Sequence, residues 1–214
     1  MEYNLKTMVI GMVQTNCYII SDPESKEAIV IDPADDAGKI GKYLKANDLV
    51  CKGILLTHGH FDHIMAAEEL AKSTGAPIYA HETEAVLLKD SRMNSSYHFR
   101  SGCSLVPDIL LKDTEVLHLA GFVIKVIHTP GHTTGGACYY FQGHGILFSG
   151  DTLFFEDIGR SDLATGNHRE LVESIVNKLM VLEDMVRVYP GHGEPTTIGH
   201  ERDNNIYLQW RGIH

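Results

Sequence analysis

The stretch THGHFDH at residues 57–63 places His58, His60, Asp62 and His63 within six positions, where the apolar run GILLT ends. Imidazole nitrogens and carboxylate oxygens are donors that zinc and its first-row neighbours accept readily. Three later apolar runs end in donors of the same kind. FVIKVIHTPGH delivers His132, GILFSGD delivers Asp151 and VRVYPGH delivers His192. One such histidine alone is an ordinary polar residue, and Asp62 alone could cap the helix that follows it. Seven donors at four strand ends read together as a metal centre on a rigid scaffold.

The spacing bears on the number of ions. His58 and His60 are two apart, so an extended segment points both to one side. Asp62 and His63 are adjacent and diverge, which suits a second centre. Two ions ~3.5–4 Å apart, with Asp151 and a hydroxide between them, form the usual two-metal hydrolytic arrangement. A nitrogen-rich, thiolate-free donor set suits two zinc ions best, with iron or manganese as alternatives. TPGH (129–132) and YPGH (189–192) repeat one device: proline presets φ, glycine accepts a positive φ, and the histidine leaves the turn. Gly59 and Gly150 remove bulk beside the donors, which lets backbone or metal approach closely.

The elements that must position these donors are short. Strand patterns cover 7–13, 17–21, 28–32, 53–57, 77–80, 115–120, 122–129, 137–141, 145–149 and 186–190. Helical periodicity appears at 36–46, from Asp62 to a stop at Gly75, over ETEAVLLK (82–89), at 168–180 and at 197–209. Residues 90–107 are polar and irregular. Strands and helix, then strands and helix again, predict an α/β (α+β) fold of four layers with two sheets face to face. No linker or low-complexity segment interrupts residues 1–214, so one domain is expected.

Composition narrows the function. The 214 residues are 43% hydrophobic, a level at which a core can form. Net charge is −10, from 28 acidic and 18 basic residues, which opposes nucleic acid and anionic membranes as partners. Cys17, Cys51, Cys103 and Cys138 are far apart with no CxxC pair, so reduced thiols and a cytoplasmic location are expected. The opening MEYNLKTMVIGMVQTNCYII has neither a basic flank nor a long apolar core, so no signal peptide or membrane span is expected.

The ordered set HxHxDH, His, Asp, His resembles the metallo-β-lactamase fold superfamily. TNCYII, VIDPA, TPGHTTGG, FSGDTLF, GRSDLATG and PGHGEPTTIG are similar to its short, glyoxalase II-like (hydroxyacylglutathione hydrolase-like) branch. The resemblance implies an αββα fold, with His58, His60 and His132 on a first metal and Asp62, His63 and His192 on a second. Asp151 bridges both. It also implies that Arg160 stands where the family binds the carboxylates of a thiol substrate, although Asp162 occupies the place of the family's tyrosine. An ion pair of Arg160 with Asp157 or Asp162 is the competing reading.

The activity expected is hydrolysis of a small-molecule thioester of the S-lactoylglutathione type by a hydroxide between the metals, with Asp62 orienting that hydroxide or carrying its proton. Asp32, at the end of AIVID, either hydrogen-bonds a ligand histidine or forms the turn DPADD. Two other activities of the superfamily share the motif: oxidation of persulfides at a single iron, and hydrolysis of lactones or β-lactams. His118 and His128 are expected to pack in or beside strands, with a place next to His132 open to His128. Tyr139, Tyr140, Phe141 and Met65 are expected to pack, and His81, His98, His144, His168, His200 and His214 carry no role.

Overall fold

The computed structural model describes residues 2–99 and 102–208. Its first sheet takes the order β1 (Asn4–Ile10), β2 (Thr15–Ser21), β3 (Glu27–Ile31), β4 (Val50–Leu55), β5 (Ile78–His81), β6 (Ile109–Leu111). The second sheet contains β7 (Val116–Leu119), β8 (Phe122–His128), β9 (Ala137–Gln142) and β10 (Ile146–Gly150). A separate hairpin of β11 (Leu153–Phe154) and β12 (Asp157–Ile158) follows. The second sheet is completed by β13 (Arg187–Pro190) beside β10 and β14 (Thr196–Thr197) at its edge.

Side-chain alternation sorts the apolar residues into three interfaces, and these define four layers. Ile19, Val30 and Ile54 face α1 (Ala37–Ala46) and, beyond the short α2 (Phe61–Ile64), α3 (Ala67–Thr74). Their neighbours Ile20, Ile29, Ile31 and Leu55 turn the other way and meet Phe122, Tyr139 and Phe148 between the sheets. On the far side, Cys138, Leu147 and Val188 pack against Leu171, Ile175 and Leu179. Those three belong to α5 (His168–Ser174) and the wider π turn Ile175–Leu179 that continues it. Between β5 and β6 lie a 3₁₀ turn, Glu82–Glu84, and α4 (Ala85–Lys89). The last helix is α6 (Ile198–Asn204). This is the expected four-layer α/β fold.

Several element boundaries differ from expectation. The helix expected from Asp62 to Gly75 is two helices, because the Ala66 amide donates to Pro33 O instead of continuing α2. The first strand ends at Ile10 rather than residue 13, where Gly11 and Gln14 adopt positive φ in a turn. The last helix stops at Asn204; Asn205 is extended, and its side chain bonds Glu201 and Asp157 O. Residue 209, the expected end of that helix, and His214 lie outside the described residues. Strands β6, β11, β12 and β14 are two or three residues long, too short to display a period.

Candidate metal centre

The strands that carry the donors end at one rim of the sandwich. β10 and β13 run parallel, so their carboxyl ends coincide, and the Gly191 amide donates to Gly150 O at 2.8 Å. That bond sets the Asp151 turn against the His192 turn. Gly191 has a steric reason: a Cβ there would collide with Asp151 Oδ1 and with the His63 ring. The two sheets are tied at the same rim. Asn16 N donates to Gly191 O, Ala137 N to Thr57 O (both 2.8 Å), and Tyr139 Oη to Leu56 O at 2.7 Å. The Asn16 side chain adds bonds to Pro190 O and Gly193 O.

All seven expected donors meet there, in two groups. His58, His60 and His132 form one, Asp62, His63 and His192 the other; within each group the candidate ligand atoms lie within 4.8 Å of one another. Asp151 stands between them. Its Oδ1 is 3.4 Å from His63 Nε2, and its Oδ2 is 3.6 Å from both His132 Nε2 and His192 Nε2. Asp62 Oδ2 is 3.2 Å from His192 Nε2 and accepts from Thr15 Oγ1 at 3.1 Å. Asp62 does not cap a helix; it lies in the first turn of α2, whose cap position is His60.

Neighbouring groups fix the tautomers. His132 Nδ1 donates to Arg160 O at 2.7 Å, so its Nε2 carries a lone pair. Thr57 Oγ1 donates to Asp32 Oδ2 at 2.6 Å and accepts from His58 Nδ1, which frees His58 Nε2. These two lone-pair nitrogens face each other at 3.2 Å with no proton to share. His60 Nδ1 is 2.9 Å from the same His132 atom. His63 Nδ1 donates to Asp32 Oδ2 at 2.9 Å; its buried Nε2 and the buried Asp151 Oδ1 that faces it at 3.4 Å make no hydrogen bond among the described residues. Converging lone pairs and unpartnered buried atoms are what a divalent cation satisfies, so the donor set fits a metal.

Electrostatics separate the two groups. Burial, then the neighbouring rings, hold His58 well below the usual imidazole range and bring His60 down to about 3. Burial likewise lowers His132, so all three rings are neutral donors. Burial opposes a charge on His63 as well, but Asp151, Asp62 and Asp32 outweigh it and raise its pKa. Asp151 is held well below the carboxylate range by the surrounding histidines, against the effect of burial.

A cavity of about 660 Å³ opens over this floor. His60, Asp62, His132, Asp151 and His192 line it, and its walls include Val13, Phe61, Phe154, Phe155, Ile158 and Leu163. Arg160 reaches the cavity, but its guanidinium is paired with Asp162 by Nε–Oδ1 and Nη2–Oδ2 bonds of 2.7 and 2.8 Å. Of the two carboxylates considered for that pair, Asp162 is the one used. Asp32 both takes a positive φ in its turn and bonds His63. His128 stacks on His81 and bonds Thr134 O rather than His132, and His118 is exposed on β7.

Sequence spacing gave no hint of Thr15, Asn16 or Glu84, which position donors or their loops. Gly59 also serves a different end from the one expected. A Cβ there would press not on an ion but on Leu87 and Leu88, at 2.7 and 2.9 Å.

Comparison with known proteins agrees with the geometry. Residues 10–192 match the metallo-beta-lactamase superfamily. The chain belongs to that superfamily. It is 35% identical over 208 residues to a Haemophilus influenzae protein named hydroxyacylglutathione hydrolase GloC, covering 96% of this chain and 98% of that one. The crystal structure of BLEG-1 B3 metallo-beta-lactamase superposes with a TM-score of 0.91 at 39% identity, covering 96% of this chain and 100% of that chain. The structure of TTHA1623 in a di-iron-bound form gives a TM-score of 0.82 at 32% identity, covering 95% and 100%. At this level the chain is a metal-dependent hydrolase with a divalent-metal site. Among the described residues, no helix is long and apolar enough to cross a membrane.

Proposed function

We propose that this chain hydrolyses small-molecule thioesters, as a short member of the glyoxalase II-like branch. The observation that carries the reading is the cavity floor: two donor groups with Asp151 between them, open to a substrate beneath largely apolar walls. Two zinc ions, one held by His58, His60 and His132 and one by Asp62, His63 and His192, with Asp151 shared, would lower the pKa of water and polarise a carbonyl. Iron or manganese suits the same donors, and iron is what TTHA1623 is described as binding.

The chain's own residues do the rest. On this reading Asp62, anchored through Oδ2 by Thr15, would orient the attacking water and take its proton. Arg160 O and Asp32 keep His132 and His63 in the tautomers that present Nε2. Phe61, Phe154, Phe155 and Leu163 give an acyl chain apolar surface and exclude bulk water from it.

The similarity to GloC along its whole length supports a thioester substrate. The wall charges qualify it. Among the described residues, Arg160 is the one lysine or arginine lining the cavity, and Asp162 already neutralises it, while Asp157 and Glu194 add negative charge. Such walls favour a neutral acyl-thiol over a strongly anionic one. With four free cysteines, a reducing cytoplasm is the setting we assign.

The likeness to BLEG-1 favours β-lactam hydrolysis as the second reading. A substrate panel separates the possibilities: S-lactoylglutathione, a neutral thioester of the same acyl group, nitrocefin, a lactone, and a persulfide with oxygen uptake recorded. We expect chelator-sensitive thiol release from both thioesters, faster than turnover of the others. Fast nitrocefin turnover with inert thioesters would replace this reading, and so would oxygen uptake.

A further inference from the structure

Glu84 is almost completely buried, and no step of the reaction uses it. It closes the 3₁₀ turn after β5, and its carboxylate lies between two loops. Oε1 accepts from Gly59 N at 2.7 Å; Oε2 accepts from Gly135 N at 2.8 Å and from Thr133 Oγ1 at 3.1 Å. Gly59 sits between His58 and His60, on the loop leaving the first sheet. Thr133 and Gly135 follow His132, on the loop leaving the second. One carboxylate therefore holds both halves of the three-histidine group.

The packing around it is specific. A Cβ on Gly135 would collide with the Glu84 backbone, and one on Gly59 would press on Leu87 and Leu88 of the same segment. Both glycines are bare on the side that faces residues 84–88. Among the described residues no cation pairs with Glu84, and burial pushes its carboxyl up to about 6 against the pull of its three donors. A buried, uncompensated carboxylate is expensive, so the three donors it engages are its whole support. Glu84 has no contact with the other donor group, which is held by Thr15 on Asp62, Asp32 on His63 and Asn16 on the His192 turn; Asp32 also reaches His58 through Thr57.

We infer that Glu84 is a positioning residue for the three-histidine group: it fixes the His58–His60 loop against the His132 loop, so the three lone pairs converge before an ion arrives. The inference rests on the metal site of the proposed function and not on the thioester.

The test is zinc affinity at each group, measured by competition with a chromogenic chelator and assigned by the ring ¹⁵N signals of the histidines. Glu84→Gln keeps the size but sets an amide N–H among N–H donors. Its affinity at the His58/His60/His132 group should fall roughly 10–100-fold, the usual cost of removing a group that orients a ligand, with the His192 group unchanged. Thr133→Val, which removes one of the three donors, should give a smaller fall at the same group and carries the test if Glu84→Gln does not fold. Wild-type affinity at the three-histidine group in a folded variant overturns the inference, as does an equal fall at both groups. A wild-type chain with no zinc at those histidines would instead overturn the metal site itself.

Discussion

At the scale of the residue, a neighbour on the opposite nitrogen sets the direction of the imidazole lone pair in His58, His63 and His132. Arg160 contributes through its backbone carbonyl, and Asp32 through one oxygen shared by Thr57 and His63. Asp32→Asn would set an amide against the Thr57 or His63 donor, and metal retained after dialysis should fall by about 10–100-fold in affinity at the His63 group. Unchanged occupancy would mean that Asp32 is only a turn former. The Arg160 side chain is a separate matter, because its pairing with Asp162 leaves it little to offer an anionic substrate. The hydrogen bonds from Arg160 hold the Asp162 carboxyl at about 2, well ionised at neutral pH. Asp162→Asn should free the guanidinium and lower KM for S-lactoylglutathione, with little change for a neutral thioester. Equal effects on both would place Arg160 outside substrate binding.

At the scale of the element, the site depends on where strands stop and on what is packed behind the turns. The seven donors were legible in the sequence because each follows an apolar run and a tight turn, a signal carried by consecutive residues. Asp32 was legible for the same reason. Glu84, Thr15 and Asn16 were not. They act on other loops of the rim, some on the same sheet and some on the facing one, so their partners are 25 to 177 positions away and no local period marks them. The break between α2 and α3 was hidden likewise, since it depends on a carbonyl of Pro33. Behind the His132 turn stands α5, whose cap residue Asn167 accepts from Glu170 N through its side chain and donates its backbone N–H to Gly131 O at 2.7 Å. Asn167→Ala should lower stability by about 1 kcal/mol in denaturant unfolding while metal content holds. Loss of metal with unchanged stability would show that the cap acts on the His132 turn instead.

At the scale of the whole molecule, each donor group draws on both sheets. His58, His60, Asp62 and His63 leave the first, and His132, Asp151 and His192 leave the second. The fold builds a metal centre by joining two halves, and each half holds an incomplete set. Three apolar interfaces keep the four layers in register, and backbone bonds at the rim bring the two sets to within a few ångströms. The most direct test is an anomalous difference map from crystals of the purified protein, collected at the absorption edge of the metal it contains. Two peaks ~3.5–4 Å apart are predicted, one among His58, His60 and His132 and one among Asp62, His63 and His192, with Asp151 touching both. A map with no peak at this rim, or with one peak that His132, Asp151 and His192 do not reach, would contradict the account.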